Sequence, residues 1–225
     1  MSAVNLKAIA VLLLALMLSA CVSNPNNQQD FYHQSQPEVR LIPAGPLPKG
    51  YMPQVARYIE RTFGLRVSIE APVENVAATL DRSRKQLIAN QLIQVAKMRY
   101  EGKCTAQRCL NIVITHGDMY INDPRRKWDK FAFSMRLYPS YAAISSARLN
   151  PHGRINSDRL VLTRPIELLI ARTVGFMYYD IPLDQGPDSV MTSSLIYLQD
   201  LEKMNPDSVR TDILDKRPAR HAATQ

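Results

Sequence analysis

A mainly apolar run at residues 110–115, LNIVIT, constrains the possible folds more than any other stretch of the chain. A strand without a polar face is typical of a sheet that is covered on both sides. Residues 65–70 alternate apolar and polar side chains, and residues 131–137 and 141–145 also have strand-like composition. These four segments predict a mixed sheet.

Helical periodicity is interleaved with these strands. Residues 51–63 place their apolar side chains on one face and end before Gly64, and residues 83–100 predict a longer amphipathic helix. Residues 164–180 predict a third helix, and residues 193–204 predict a last one. The interleaving predicts an α/β (or α+β) fold, in which helices pack on a mixed, twisted sheet.

The N-terminus predicts export from the cytoplasm. Lys7 precedes an apolar run at residues 8–18, which is too short to span a bilayer and has the character of a cleaved secretory signal. The sequence Leu18-Ser19-Ala20-Cys21 that follows resembles the bacterial lipobox, whose cysteine is acylated and becomes the new N-terminus. We therefore expect lipidation at Cys21, with an ordinary signal peptide as the alternative.

The residues after Cys21 bear on which membrane holds the anchor. Val22 and Ser23 follow it, and no Asp stands next to it. By resemblance to lipoproteins of two-membrane bacteria, this favours the periplasmic face of the outer membrane over the inner membrane. We expect the protein to lie in the cell envelope, attached through its lipid.

The composition predicts four regions along the chain. Residues 1–20 are the signal peptide, and residues 21–50, rich in Asn, Gln and Pro, predict a flexible tether. Residues 51–205 predict one folded domain, and residues 206–225 a basic tail. The formal net charge of +8 fits a solvated surface, or contact with anionic lipids or polymers. Outside the cytoplasm we expect no nucleic-acid partner.

Two further cysteines, Cys104 and Cys109, stand close together before the apolar strand. In an oxidising compartment this spacing predicts a small disulfide loop. A two-cysteine metal site is the alternative, but no nearby histidine or second cysteine pair completes a set of four ligands.

Five stretches of the chain form a recognisable series: DRSRKQLIANQLI (81–93), LNIVITHGDMYI (110–121), KFAFSMRLYPSYAAISSARLN (130–150), LLIARTVGFMYYD (168–180) and DSVMTSSLIYLQDLEKM (188–204). In this order they resemble the archaemetzincins, a branch of the metzincin clan of zinc peptidases. The resemblance implies a metzincin-like sheet, an active-site helix and a Met-turn.

The same resemblance implies that the zinc site is degenerate. Metzincins carry H-E-x-x-H-x-x-G and a further His on and after this helix, with zinc held by the three histidines and the Glu as general base. Aligned on the glycine, the positions of the first His, the Glu, the second His, the glycine, the third His and the Met-turn are occupied here by Leu168, Leu169, Arg172, Gly175, Tyr178 and Met191. We therefore expect no zinc, no other cofactor and no zinc-peptidase activity.

Arg172 is the unusual residue on that face of the helix. It could pair with Glu167, with an acidic group across the cleft or with a bound carboxylate, and a structural pairing is the favoured interpretation. The leading hypothesis for function is a non-enzymatic envelope lipoprotein that binds a peptide or protein along a sheet edge.

Two alternatives remain open. One is a hydrolase with a rebuilt site around His116 and Asp118, although a hydrogen bond that stabilises a turn is the simpler interpretation of that pair. The other is a purely structural envelope lipoprotein, whose cleft is filled by its own side chains.

Overall fold

The computed structural model describes residues 38–103, 109–123, 131–137, 139–149, 164–183, 186, 188–193, 198–205 and 208. The elements in these ranges are, in chain order, β1 (Val39–Ala44), α1 (Tyr51–Phe63), β2 (Val67–Ile69), a 3-10 helix (Val76–Thr79), β3 (Leu80–Asp81), β4 (Gln86–Ile88), α2 (Ala89–Tyr100), β5 (Leu110–Thr115), β6 (Met119–Tyr120), β7 (Ser134–Leu137), β8 (Tyr141–Ser145), α3 (Arg164–Met177) and α4 (Leu198–Lys203).

The main sheet has five strands in the order β2-β1-β5-β8-β7. Strands β2, β1, β5 and β8 are parallel, and β7 runs antiparallel to β8 at one edge. The central strand β5 is buried along its whole length, which confirms the prediction for residues 110–115. A smaller sheet has the order β3-β4-β6. The mixed α/β fold class is confirmed.

Alternate residues of the main sheet face two separate layers of helix, as the period of a strand requires. One cluster of buried side chains joins Leu41, Ile112 and Ala142 of the sheet to helices α1 and α3. The other joins Ile42, Val113 and Ala143 to α2. The sheet is therefore covered on both faces, which is the reason that β5 tolerates so few polar residues.

Helix α1 begins and ends where the sequence predicts. Gly50 before it and Gly64 after it both adopt left-handed backbone conformations, with φ of 79° and 68°. The Gly64 N–H donates a hydrogen bond to the carbonyl oxygen of Glu60 at 2.9 Å and so caps the last turn. Glycine adopts this conformation at little steric cost.

The predicted tether is wrong for residues 39–44, because they form β1 between β2 and β5. Pro43 is an unusual residue for a central strand, since proline cannot donate to a ladder. The carbonyl groups of Leu41 and Pro43 accept bonds from Glu70 and Val73, so the missing N–H of Pro43 faces the side of β2. Strand β2 ends at Ile69, opposite Leu41, so Pro43 removes no bond of the ladder.

The predicted start of the second helix is also wrong. Residues 80–88 form β3, a turn and β4, and α2 begins only at Ala89. The Asp81 carboxylate accepts hydrogen bonds from the backbone N–H groups of Ser83 and Arg84, which builds a turn between the two strands. Lys85 in that turn has a φ of 56°. This local turn overrides the helical spacing of the apolar residues that follow.

Several predicted features lie outside the described residues. They are the signal peptide with Cys21, the loop residue Cys104, and the tail beyond Ser208. The lipid anchor and the disulfide with Cys109 therefore stay predictions. None of the described helices combines the length and the apolar character that are needed to cross a bilayer.

Candidate functional site

Helix α3 carries the residues that the resemblance assigns to a zinc site. Leu168 and Leu169 are both buried, and they pack in the hydrophobic cluster between the main sheet, α1 and α3. Gly175 is buried near the end of the same helix. The two leucines have no donor atom, so they contribute packing to this region and cannot bind a metal.

Arg172 is the charged residue within this apolar layer. Arg172 is only 3% exposed. Its Nη1 donates a hydrogen bond to the carbonyl oxygen of Val190 at 2.9 Å. Burial, together with the nearby positive charge of Arg136, lowers the pKa of Arg172 to about 10. The partner is thus a backbone carbonyl, and of the pairings considered from sequence, the one with Glu167 is not formed.

The acceptor of that bond belongs to a tight turn around Met191. The Met191 N–H donates to Ser189 Oγ at 2.9 Å, and the Thr192 N–H donates to the carbonyl oxygen of Ser189 at 3.1 Å. Met191 itself is fully buried. The structure therefore places the turn that carries Met191 against α3, and Arg172 joins the two.

Tyr178, just after α3, binds a different part of the domain. Its hydroxyl donates to Glu38 Oε1 at 2.6 Å, and Glu38 Oε2 in turn accepts the backbone N–H of Arg66 at 3.1 Å. Burial and the Glu38 carboxylate raise the pKa of Tyr178. Tyr178 thus connects the end of α3 to the start of β1, which is a structural contact.

Sequence reasoning missed Arg136, which lies on the edge strand β7. The register aligns Leu41, Ile112, Ala142 and Arg136 in one row across the sheet, so Arg136 shares the face that packs against α3. Its Cζ lies 4.7 Å from the centre of the Phe176 ring. The two-residue period of a strand could have identified it, because this period places the Arg136 charge on the covered face of β7.

Arg136 lacks a partner for part of its guanidinium. Nη1 is buried and has no hydrogen-bond acceptor, and this burial lowers the pKa of Arg136. Between α3 and β7 the site therefore combines two arginines, the Phe176 ring and the Met191 turn. Such a site can attract an anion.

These residues do not fit a zinc ion. Zinc is held by thiolates, imidazoles and carboxylates, whereas the face of α3 presents leucines and a buried guanidinium. Elsewhere too, the described part of the chain contains no group of three or more His, Cys, Asp or Glu side chains placed to hold a metal.

His116 and Asp118 lie at the end of β5 but bind different partners. His116 Nδ1 lies 2.8 Å from Ser146 Oγ, and burial lowers the pKa of the imidazole. The Asp118 carboxylate accepts two hydrogen bonds from Arg148, at 2.8 and 2.7 Å, and one from Gln86 at 2.9 Å. The two residues thus have separate partners, and the hydrogen bond within this pair that the simpler interpretation predicted is not formed.

Comparison with known proteins identifies the fold. No protein-family model matches the chain, and no curated protein sequence does. A zinc-dependent peptidase from Methanocorpusculum labreanum has a similar structure, with a TM-score of 0.58 and 18% identity over 78% of this chain and 99% of its own.

Two archaemetzincins are similar as well. The one from Methanopyrus kandleri has a TM-score of 0.54 and 16% identity, over 79% of this chain and 92% of its own. The one from Archaeoglobus fulgidus, in complex with malonate, has a TM-score of 0.52 and 15% identity, over 79% of this chain and 99% of its own. The chain thus has an archaemetzincin-like fold, as the sequence resemblance implied.

Proposed function

We propose that the chain is a lipid-anchored envelope protein whose archaemetzincin-like domain binds peptides without hydrolysing them. The observation that carries the proposal is the site between α3 and β7, where a buried arginine bound to the Met191 turn stands at a position that the family resemblance gives to a zinc ligand. The lipobox-like Cys21 supports the anchor. Loss of radiolabelled palmitate from a Cys21→Ser variant tests it.

The edge strand β7 supplies a place for a peptide. Among the described strands, β7 pairs with β8 on one side and with no strand on the other. The Ser145 N–H donates to the carbonyl oxygen of Phe133 at 2.9 Å, and bonding direction alternates along an antiparallel strand. The backbone N–H and C=O groups of Ser134 and Arg136 therefore point away from β8, where an extended peptide could add to the sheet.

A proline at Ser134 tests this mode of binding. We expect peptides selected from a random library on the wild-type domain to bind Ser134→Pro at least about tenfold more weakly, because the outward N–H is lost while the ladder to β8 stays intact. The matched control Ser134→Ala keeps that N–H and should bind normally. Fluorescence anisotropy measures both. Equal binding by the two variants, or a library that yields no peptides, would contradict the proposal.

The absence of zinc chemistry is tested separately. We expect the purified, tag-free protein to contain far less than one equivalent of zinc by mass spectrometry, and EDTA to leave its Tm unchanged, because the leucines and the guanidinium of α3 provide no ligands. A full equivalent of zinc, removed by EDTA with a fall in Tm, would show that the protein contains a metal site and would contradict the proposal.

A hydrolase with a rebuilt site is the second candidate, supported by the 2.8 Å contact between His116 Nδ1 and Ser146 Oγ. An imidazole at this distance can take the proton of a serine hydroxyl. If this site is catalytic, His116→Ala should abolish hydrolysis of a panel of esters and peptides while the Tm falls little. We expect instead that the wild-type protein has no activity above that of His116→Ala, because the described residues place no carboxylate on the other imidazole nitrogen.

A further inference from the structure

Two guanidinium groups converge between α3 and the edge strand β7. Arg172 lies on α3, and Phe176 follows it by one helical turn on the same face. Arg136 of β7 lies over the Phe176 ring. The two arginines are close enough for the charge of one to lower the pKa of the other. The packing of α3 against the covered face of β7 therefore brings the two side chains together.

No acidic side chain of the described residues neutralises this pair. Three acidic side chains of the domain have other partners. Glu38 binds Tyr178 and Arg66, and Asp118 binds Arg148. Glu167, also on α3, interacts with Arg61. A buried charge without a partner is unfavourable for folding. Neither arginine has an acidic partner among the described residues: Arg172 is bound to the Val190 carbonyl, and Arg136 stacks on Phe176 with its buried Nη1 unpaired.

The two guanidinium groups differ in their hydrogen bonds. Arg172 uses Nη1 for the carbonyl oxygen of Val190, which fixes its guanidinium against the Met191 turn. Arg136 keeps a buried Nη1 without an acceptor. Its residue is only partly buried, and it sits on the strand whose outer edge pairs with no described strand. A ligand that runs along β7 would therefore pass Arg136, whose side chain shares the face that packs against α3.

We propose that Arg136 and Arg172 together bind a carboxylate of a peptide that lies along β7. The inference rests on the proposed function and adds the chemical class of ligand to it. A carboxylate is planar and monoanionic, and it accepts the paired N–H groups of a guanidinium. Both the C-terminus of a peptide and an Asp or Glu side chain carry this group, so the shared chemistry is a carboxylate at a set position along the added strand.

The test uses the peptides recovered from the random library in four synthetic forms. Each is made with a free C-terminal acid and with a C-terminal amide, and each internal Asp or Glu is also replaced by Asn or Gln. We expect one of these neutralisations to weaken binding to the wild-type protein by about tenfold or more, as for other hydrogen bonds to a charged group. Which one does so identifies the source of the carboxylate.

Variants of the protein connect that loss to the two arginines. In Arg136→Gln and in Arg172→Gln, the charged and neutralised peptides should bind with nearly equal affinity. Glutamine keeps a donor for the Val190 carbonyl, so Arg172→Gln is expected to stay folded. Arg57→Gln is the matched control, because Arg57 is an exposed arginine on α1, and it should keep the full preference for the charged peptide.

Two failures are distinguishable. In the first, the charged and neutralised peptides bind the wild-type protein equally, and both bind Ser134→Pro more weakly. This result would overturn the carboxylate site and leave the peptide-binding function standing. The same conclusion follows if Arg136→Gln and Arg172→Gln keep the full preference for the charged form. A library that yields no peptides at all would overturn both the site and the function.

Discussion

A chain that begins at Tyr51 should fail to fold, whereas one that begins at Pro37 should fold normally. The shorter chain lacks β1, which pairs with β2 on one side and with β5 on the other. Four residues of β1 (Val39, Leu41, Ile42 and Ala44) are fully buried. Their loss removes side chains from both hydrophobic layers, and at about 1–3 kcal/mol each it is comparable to the whole stability of a domain, about 5–15 kcal/mol.

Circular dichroism and thermal unfolding measure the difference. The chain from Pro37 should show a cooperative transition with a Tm close to that of a longer chain that begins at residue 21. The chain from Tyr51 should be insoluble, or it should lack a cooperative transition. A cooperative transition at a similar Tm in the shorter chain would mean that β1 is dispensable and that the tether does extend to residue 50.

Replacement of Met191 by alanine should destabilise the domain by about 2–5 kcal/mol, the range for removal of a large buried side chain. Met191 is 0% exposed and belongs to the cluster that includes Leu168 and Leu169. Its turn also holds the carbonyl that Arg172 binds. A cavity below this turn would therefore weaken the packing of α3 as well as that of the turn itself.

Met98 provides a control of the same residue type. It lies on α2 and is 72% exposed, so Met98→Ala should change the free energy of unfolding by less than about 0.5 kcal/mol. Urea unfolding monitored by circular dichroism compares the two variants at equal slope. If Met191→Ala costs no more than Met98→Ala, then the Met191 turn does not contribute to the core as the structure implies.

The fold could be predicted where local pattern and tertiary environment agree. The apolar run at residues 110–115 is the buried central strand β5, and the periodic segment at residues 51–63 is α1 between its two glycines. Both signals come from side chains that must be buried, and burial is what a hydrophobic pattern reports. The hydrophobic pattern did not predict β1, because this central strand contains a proline and follows a polar segment.

The candidate site was predictable in part. The spacing of residues on α3 and the position of Met191 came from the sequence resemblance, and the structure places them together through the Arg172–Val190 bond. Arg136 could not be linked to this site, because it is 36 positions away from Arg172 in the chain and joins it only through the register of β7 with β8. Sequence periodicity indicates a face of an element, but it does not indicate which element covers that face.

The sequence by itself determined the class of fold, the character of its central strand and the absence of zinc-binding side chains at the aligned positions of α3. These depend on residue type and on short-range spacing, which are local properties. The tertiary structure alone decided that β1 belongs to the sheet, that Tyr178 binds Glu38, and that Arg136 contacts the Phe176 ring one helical turn from Arg172. Those contacts join segments that are distant in the chain, so the packing of the elements, and not their local pattern, sets them.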